Sequence, residues 1–141
     1  MAKSMFTNAL NIRASREEIV EALTQLPAIL SWDKEIIAME ALAGGSYRVK
    51  RNASAYVQEE LLTIKSQADG VLYQATSADL NYQIDWKLSE DEGSQLLSQE
   101  LIIEEALNPV VIGIAKTVTK LAFQRMLGAV KQLVETKGEI K

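Results

Sequence analysis

The sequence predicts an α+β domain in which a curved antiparallel sheet of seven strands wraps around a long carboxy-terminal helix, with two short helices between strands 1 and 2. Three observations predict it. Over residues 108–136 apolar side chains recur at helical spacing without a break. Over residues 33–105 the period drops to near two, and turn signals cut the stretch into strand-length pieces. The connections between those pieces are too short for parallel crossovers, so neighbouring strands must run antiparallel.

Residues 5–14 alternate, with Phe6, Leu10 and Ile12 on one face and Thr7, Asn11 and Arg13 on the other, as a half-buried strand requires. Ser15 and Glu18 have capping-box spacing, in which each side chain takes the other's free backbone N–H, so a helix starts there. Ile19, Val20, Leu23 and Leu26 form its buried stripe. Pro27 either ends that helix or opens a second short one through Ile29 and Leu30, with Trp32 in the loop beyond. Residues 36–43 read as a strand closed by Gly44-Gly45, and residues 46–51 and 55–65 as a hairpin about 52–54. Asp69-Gly70 signals a two-residue turn with positive φ at both positions, leading into residues 71–77. Tyr82, Ile84, Trp86 and Leu88 then alternate with Gln83, Asp85 and Lys87, and the acidic turn Glu90-Asp91-Glu92-Gly93 returns the chain as residues 95–104.

The last helix has Asn108 as N-cap and Pro109 at its first position, where a missing N–H costs nothing. Val111, Ile114, Ala115, Val118, Leu121, Ala122, Met126, Ala129 and Leu133 fall on one wide stripe, with Lys116, Lys120, Gln124 and Lys131 opposite. Gly138 is the expected stop. At 1.5 Å per residue the helix is roughly 40 Å long, so a broad concave surface must cover it.

A chain of 141 residues, 48% apolar and 24% charged, reads as one domain spanning 1–141. Its net charge of -4 argues against a nucleic-acid footprint. Cysteine and histidine are both absent, which removes disulfides, thiol chemistry, Ser-His and Cys-His nucleophile pairs and imidazole metal ligands. Glu90, Asp91 and Glu92 lack the alternating oxygen pattern of a calcium loop, and Gly44-Gly45 lacks the strand-to-helix setting of a phosphate loop, so no metal or cofactor is expected. The start of the chain lacks a secretory pattern, and the longest apolar run, residues 110–115, is too short to cross a bilayer. A cytoplasmic location is the expectation.

Ala14-Ser15-Arg16-Glu17-Glu18-Ile19 after the first strand, Leu30-Ser31-Trp32 after the helix pair, the Gly44-Gly45 turn, the Trp86 strand, the Asp91-Glu92-Gly93 turn and the amphipathic last helix stand in a characteristic order. Together they resemble the SRPBCC superfamily. That group takes in START domains, polyketide cyclases and birch-pollen-allergen-like proteins, and its fold is called the helix-grip. The resemblance implies a cavity between sheet and last helix, filled in most relatives by an apolar or amphipathic small molecule such as a lipid, isoprenoid, quinone or polyketide.

Strand parity nominates the lining of that cavity, because cross-strand partners share a face. With the first hairpin tip at Ala53-Ser54, Tyr47 lies opposite Glu60, Val49 opposite Gln58 and Arg51 opposite Tyr56. The same face continues through Leu62 and Ile64 to Tyr73, Ala75 and Ser77, and Trp86 pairs near Gln99. Tyr47, Arg51, Tyr56, Gln58, Glu60, Tyr73, Ser77 and Gln99 are more polar than a dry core tolerates. Either they line a ligand pocket, or they sit near strand ends, or a bulge after Glu59 reverses the parity. From the helix, Val118, Leu121 and Arg125 are expected to face inward, with Arg125 pairing with Glu60 or a ligand anion unless it reaches past the edge into water. Trp32 is placed at the cavity mouth.

Three functions follow as expectations. The first is non-catalytic binding or transport of an apolar small molecule. The second is a cyclase or dehydratase activity with Glu60 as general base and Arg125 and the inward tyrosines in support. The third is a protein-interaction module or homodimer using Phe123, Leu127 and Val134 on the shoulder of the last helix, residues otherwise covered by Ile19, Leu23 and the short helices.

Overall fold

The chain runs β1 (Lys3–Ile12), α1 (Arg16–Thr24), α2 (Leu26–Trp32), β2 (Ile36–Ala41), β3 (Ser46–Arg51), β4 (Glu59–Gln67), β5 (Gly70–Thr76), β6 (Tyr82–Asp91), β7 (Ser94–Ile103) and α3 (Pro109–Ile140), with one 3-10 turn at Ala43–Gly45. This computed structural model describes residues 3–53, 57–78, 80–104 and 109–140, the side chains of 3, 109–118 and 137–140 apart. The expected roles of Asn108 and Tyr56, and the inward setting of Val118, therefore lie outside the described residues.

All seven strands join one antiparallel sheet in the order β1-β7-β6-β5-β4-β3-β2. Consecutive strands pair except at β1 and β2, which form the two edges because α1 and α2 intervene between them. The predicted capping box is present: the Ser15 hydroxyl accepts from the Glu18 N–H at 3.1 Å, and the Glu18 carboxylate accepts from the Ser15 N–H at 3.1 Å. Pro27 opens α2 rather than ending α1, and α2 extends far enough to include Trp32. The indole N–H of Trp32 donates to the Ala22 carbonyl at 2.8 Å, which ties the two short helices together.

Two turns differ in mechanism from expectation. Glu92 and Gly93 both have positive φ (49° and 83°), the conformation that joins two strands through two residues, so β6 runs into β7 without a wider loop. At the β4–β5 turn neither Asp69 nor Gly70 is left-handed. Gly70 is needed instead for close approach: a Cβ there would stand 2.8 Å from the Trp86 carbonyl carbon on the neighbouring strand.

The largest departure concerns α3. Among its described residues Leu127, Val130 and Val134 are buried, and the Phe123 ring meets Phe6 edge-on at 5.3 Å. Leu121, a member of the expected stripe, is 53% exposed, and Arg125 is exposed as well. The buried face is thus shifted toward the shoulder of Phe123 and Leu127, while Met126, Ala129 and Leu133 of the expected stripe still pack against the core. The cause is its position. It lies over β1 and against α1 and α2, so the shoulder bearing Phe123, Leu127 and Val134 faces protein. Its carboxy-terminal half is pinned to the end of β1, where Lys131 Nζ donates to the Asn11 carbonyl at 2.8 Å and Glu135 accepts from the Arg13 N–H at 2.9 Å. Helical structure also continues through Gly138 to Ile140.

Candidate functional site

The inner face of the sheet is the one that parity nominated. The β3–β4 register, however, is offset by two residues from the expected pairing: Tyr47 lies opposite Leu62 and Val49 opposite Glu60. An offset of two preserves the face, so Tyr47, Val49 and Arg51 still point to the same side as Glu60 and Leu62. Glu60 is buried and Glu59 exposed, with no reversal of parity between them. Ile64 pairs with Tyr73, Leu62 with Ala75, Ile84 with Leu101, and Trp86 with Gln99.

Most of this wall is apolar. At one end it carries a charged group built from four elements. Arg51, at the end of β3, has a side chain only 9% exposed. Its Nε donates to Glu60 Oε1 at 2.8 Å, and its Nη1 lies 3.0 Å from Asp33 Oδ2 and 3.4 Å from Glu35 Oε1. The Tyr82 hydroxyl, at the start of β6, lies 2.8 and 2.7 Å from the two Glu60 oxygens. Each position has a local reason. Asp33 caps the end of α2, and its Oδ1 accepts from the Glu35 N–H at 3.2 Å, turning the chain into β2. A carboxylate at the negative end of a helix is unfavourable by itself, and the Arg51 guanidinium offsets it.

Three carboxylates therefore surround one guanidinium in a largely desolvated site. Burial alone would lower the proton affinity of Arg51, but Tyr82, Glu60 and Asp33 outweigh it and raise it, so the guanidinium stays charged. Burial raises the Glu35 carboxyl, Arg51 partly opposes this, and the nearby charges of Asp33 and Glu60 add to the rise. Burial also pushes the Tyr82 phenol well above its ordinary range, helped by the Glu60 charge, so it remains a neutral donor to Glu60. Among the described residues no cluster of acidic side chains has the arrangement of a metal site.

Farther along the same wall, Asn8, Gln99 and Trp86 stand side by side on β1, β7 and β6. Asn8 Nδ2 donates to Gln99 Oε1 at 3.1 Å and reaches the Lys120 carbonyl of α3 at 3.5 Å. Trp86 is packed edge-to-face against Trp32 (5.8 Å between centroids) and Tyr73 (5.7 Å). The Tyr73 hydroxyl donates to the Leu23 carbonyl of α1. Burial raises the Tyr73 phenol well above its ordinary range.

The nominated residues thus separate. Arg51, Glu60, Tyr73, Trp86 and Gln99 are brought to the inner wall, with Tyr47 half-buried beside them. Ser77 is not part of the wall: its hydroxyl donates to the Leu80 carbonyl at 2.7 Å and accepts from the Leu80 N–H at 2.9 Å, closing the β5–β6 loop. Gln58 is exposed and reaches the Ala53 carbonyl at 3.4 Å. Leu121 and Arg125 face away, so the partner of Glu60 is Arg51 rather than Arg125. Trp32 is a core residue, not a rim one, because α2 carries it beneath the sheet. The open space expected beside Trp86 is filled, since Trp86 and Gln99 are both 0% exposed. Asn8, Asp33 and Tyr82 were not nominated. Asn8 shares the parity of Phe6 and Leu10, and Tyr82 that of Trp86, so parity applied without regard to polarity finds both.

With this geometry in hand, the chain can be set beside known proteins. No protein-family model and no curated protein matches it by sequence. Solved structures do match in fold. A START superfamily protein from Mycobacterium smegmatis superposes with a TM-score of 0.73 at 18% identity, covering 95% of this chain and 99% of the other. The KanY protein superposes at 0.75 with 13% identity, over 96% and 99% of the two chains. A point mutant of norcoclaurine synthase from Thalictrum flavum, in complex with a transition-state analogue, superposes at 0.72 with 13% identity, over 98% and 97%. The architecture is the helix-grip fold expected from the sequence. Among the described residues no helix is long and apolar enough to cross a membrane.

Proposed function

We propose that this protein binds an apolar or amphipathic small molecule, of the lipid, isoprenoid, quinone or polyketide kind, between the inner face of the sheet and α3. The observation that carries the reading is the Arg51–Glu60–Tyr82 group on a largely apolar inner wall. Charged side chains desolvated on such a wall are costly to fold around, and they serve as a fixed polar end against which an amphipathic molecule is oriented. Tyr47, half-buried beside this group, supplies further surface. The fold shared with START proteins and with an enzyme caught on a transition-state analogue supports a site in this region, without choosing between binding and catalysis.

Binding is favoured over a cyclase reaction because both oxygens of Glu60 are already engaged, by Arg51 and by Tyr82. A general base needs a lone pair directed at substrate. Native mass spectrometry and solvent extraction of the purified protein, followed by displacement of a panel of fluorescent lipids, test the proposal. A co-purified small molecule or saturable displacement is the expected result. A chain that retains nothing and binds no member of the panel overturns it.

A further inference from the structure

The two edges of the sheet differ. α3 packs along β1, and the backbone at the end of that strand is taken up, the Asn11 carbonyl by Lys131 and the Arg13 N–H by Glu135. β2 pairs with β3 and ends the sheet, and its Ile37, Ala38, Glu40 and Ala41 are exposed. Ile37, at 66%, is the most exposed large apolar side chain among the described residues. The Leu42 N–H donates to the Ser46 carbonyl at 2.8 Å, so by the alternation of an antiparallel ladder Glu40 and Ala38 also bond to β3. The N–H and C=O groups of Met39 and Ala41 therefore point to the open edge. Such an edge is a template for another chain unless charge, proline or a covering element blocks it. β2 has a single charge, Glu40, and no lysine or proline, and its bulge lies at the first end, between Ile36 and Ala38.

We propose that the β2 edge is an interface for a second copy of this chain, whose own β2 adds antiparallel with Met39 on the two-fold axis, joining two sheets into one. Shape and charge set the register. With Met39 opposite itself, the exposed Ile37 faces the small Ala41 of the second copy, and Ala38 faces its Glu40. On the outer face Lys50 lies 3.7 Å from Glu59 and beside Ala38, while Arg48 lies 3.6 Å from Glu40. Joined at the edge, the row reads Glu59, Lys50, Ala38, then Glu40 and Arg48 of the second copy, so charge alternates across the junction. Ala38 is too short to screen Lys50 from that Glu40, and the two-fold axis makes the contact twice. Moving the axis to Glu40 opposes two like charges, and moving it to Ala38 sets Glu40 against the bulge. The surface is separate from the inner wall and from the α3 shoulder of Phe123 and Leu127, so the inference stands apart from the small-molecule reading.

The test is the mass of the full chain in solution, from sedimentation and light scattering across a concentration series, where a reversible dimer is expected. Ala41→Pro removes an N–H that points to the open edge and none that serves the β2–β3 ladder, so it should leave the monomer folded and raise the dimer Kd by about tenfold or more. Lys50→Glu and Glu40→Lys should each weaken the dimer by about fivefold, and the double variant should return it to within about twofold of wild type, because the swapped charges meet again between copies. Amide hydrogen exchange of the wild type needs no substitution and keeps the proposal testable if a variant fails to fold: the Met39 and Ala41 amides should slow as concentration rises. A chain that stays monomeric across the series with unchanged exchange at Met39 and Ala41 overturns the proposal. So does a dimer that Ala41→Pro leaves as tight as before, since its interface must then lie elsewhere.

Discussion

Arg51 and Glu60 meet on a diagonal: the strands pair Glu60 with Val49, yet Arg51 Nε reaches Glu60 Oε1 at 2.8 Å along the inner face. The same guanidinium also holds Asp33 and Glu35, so its removal leaves three carboxylates together, whereas Glu60→Gln removes one charge and keeps an acceptor for Arg51. Arg51→Met is therefore expected to cost about 3–5 kcal/mol and Glu60→Gln about 1–2 kcal/mol. Urea denaturation of both variants checks the order. Equal losses would mean that the shared guanidinium is not what balances the group.

Glu35 gives the group a pH dependence of defined sign. Its carboxyl is raised above the ordinary 4.5 by burial, with Asp33 and Glu60 adding to the rise against Arg51. A carboxyl raised on folding binds its proton more tightly in the folded state, so its contribution to stability falls as pH rises above 4.5. Glu35→Gln should raise the melting temperature at neutral pH and lose that advantage near pH 4, where the wild-type side chain is itself protonated. Part of the side chain meets water, which keeps the gain small. Thermal melts of both proteins across this range are the measurement, and a gain that does not change with pH would contradict the assignment.

Tyr73 and Tyr82 act at the other end of the pH scale. Burial raises both phenols well above the usual 10, and for Tyr82 the Glu60 charge adds to it. Their stabilising effect is complete below pH 10 and declines as pH rises beyond it, because the unfolded chain ionises first. Tyr73 and Tyr82 should therefore withhold their phenolate absorbance until the chain unfolds. Tyr82→Phe should reduce that delayed step by one residue and lower stability by about 1–3 kcal/mol at neutral pH, since Glu60 loses its hydroxyl donor.

How far the sequence disclosed this arrangement depended on which periodicity was read. The period of two needs only the correct face, and Glu60, Tyr73, Trp86 and Gln99 were found on it even though the β3–β4 register was displaced by two residues. On α3 the signal was degenerate. Apolar residues cover most of its circumference, so their spacing does not say which part meets β1, α1 and α2. Val130 and Val134 were as hydrophobic as Leu121, and only tertiary position separated them. The Asp33–Arg51 contact was illegible for a different reason: it joins a helix end to a strand end through loop geometry that no local pattern encodes.

Gly70 separates the two mechanisms by which a glycine is required. Its φ is not left-handed, so replacement carries no conformational penalty of the positive-φ kind. An added Cβ collides with backbone instead, lying 2.8 Å from the Trp86 carbonyl carbon and 3.0 Å from Lys87 Cα. Backbone in the middle of a sheet has little room to yield. Gly70→Ala is expected to cost about 3 kcal/mol, at the upper end for overpacking, and to shift the amide resonances of Trp86 and Lys87. Gly93→Ala, by contrast, has open space around the new methyl and should pay only for its positive φ, about 1 kcal/mol.

The orientation of α3 decides which side of the helix a ligand or the sheet can meet, and two substitutions six residues apart read it directly. Leu127 is 2% exposed against the face formed by β1, α1 and α2, so Leu127→Ala leaves a cavity and should cost about 2–5 kcal/mol. Leu121 is 53% exposed, and Leu121→Ala should change stability by no more than about 0.5 kcal/mol. The stripe read from periodicity alone requires the opposite order, because it places Leu121 on the buried face and Leu127 on its shoulder. Chemical denaturation of the pair therefore chooses between the two helix rotations, and it does so without any ligand.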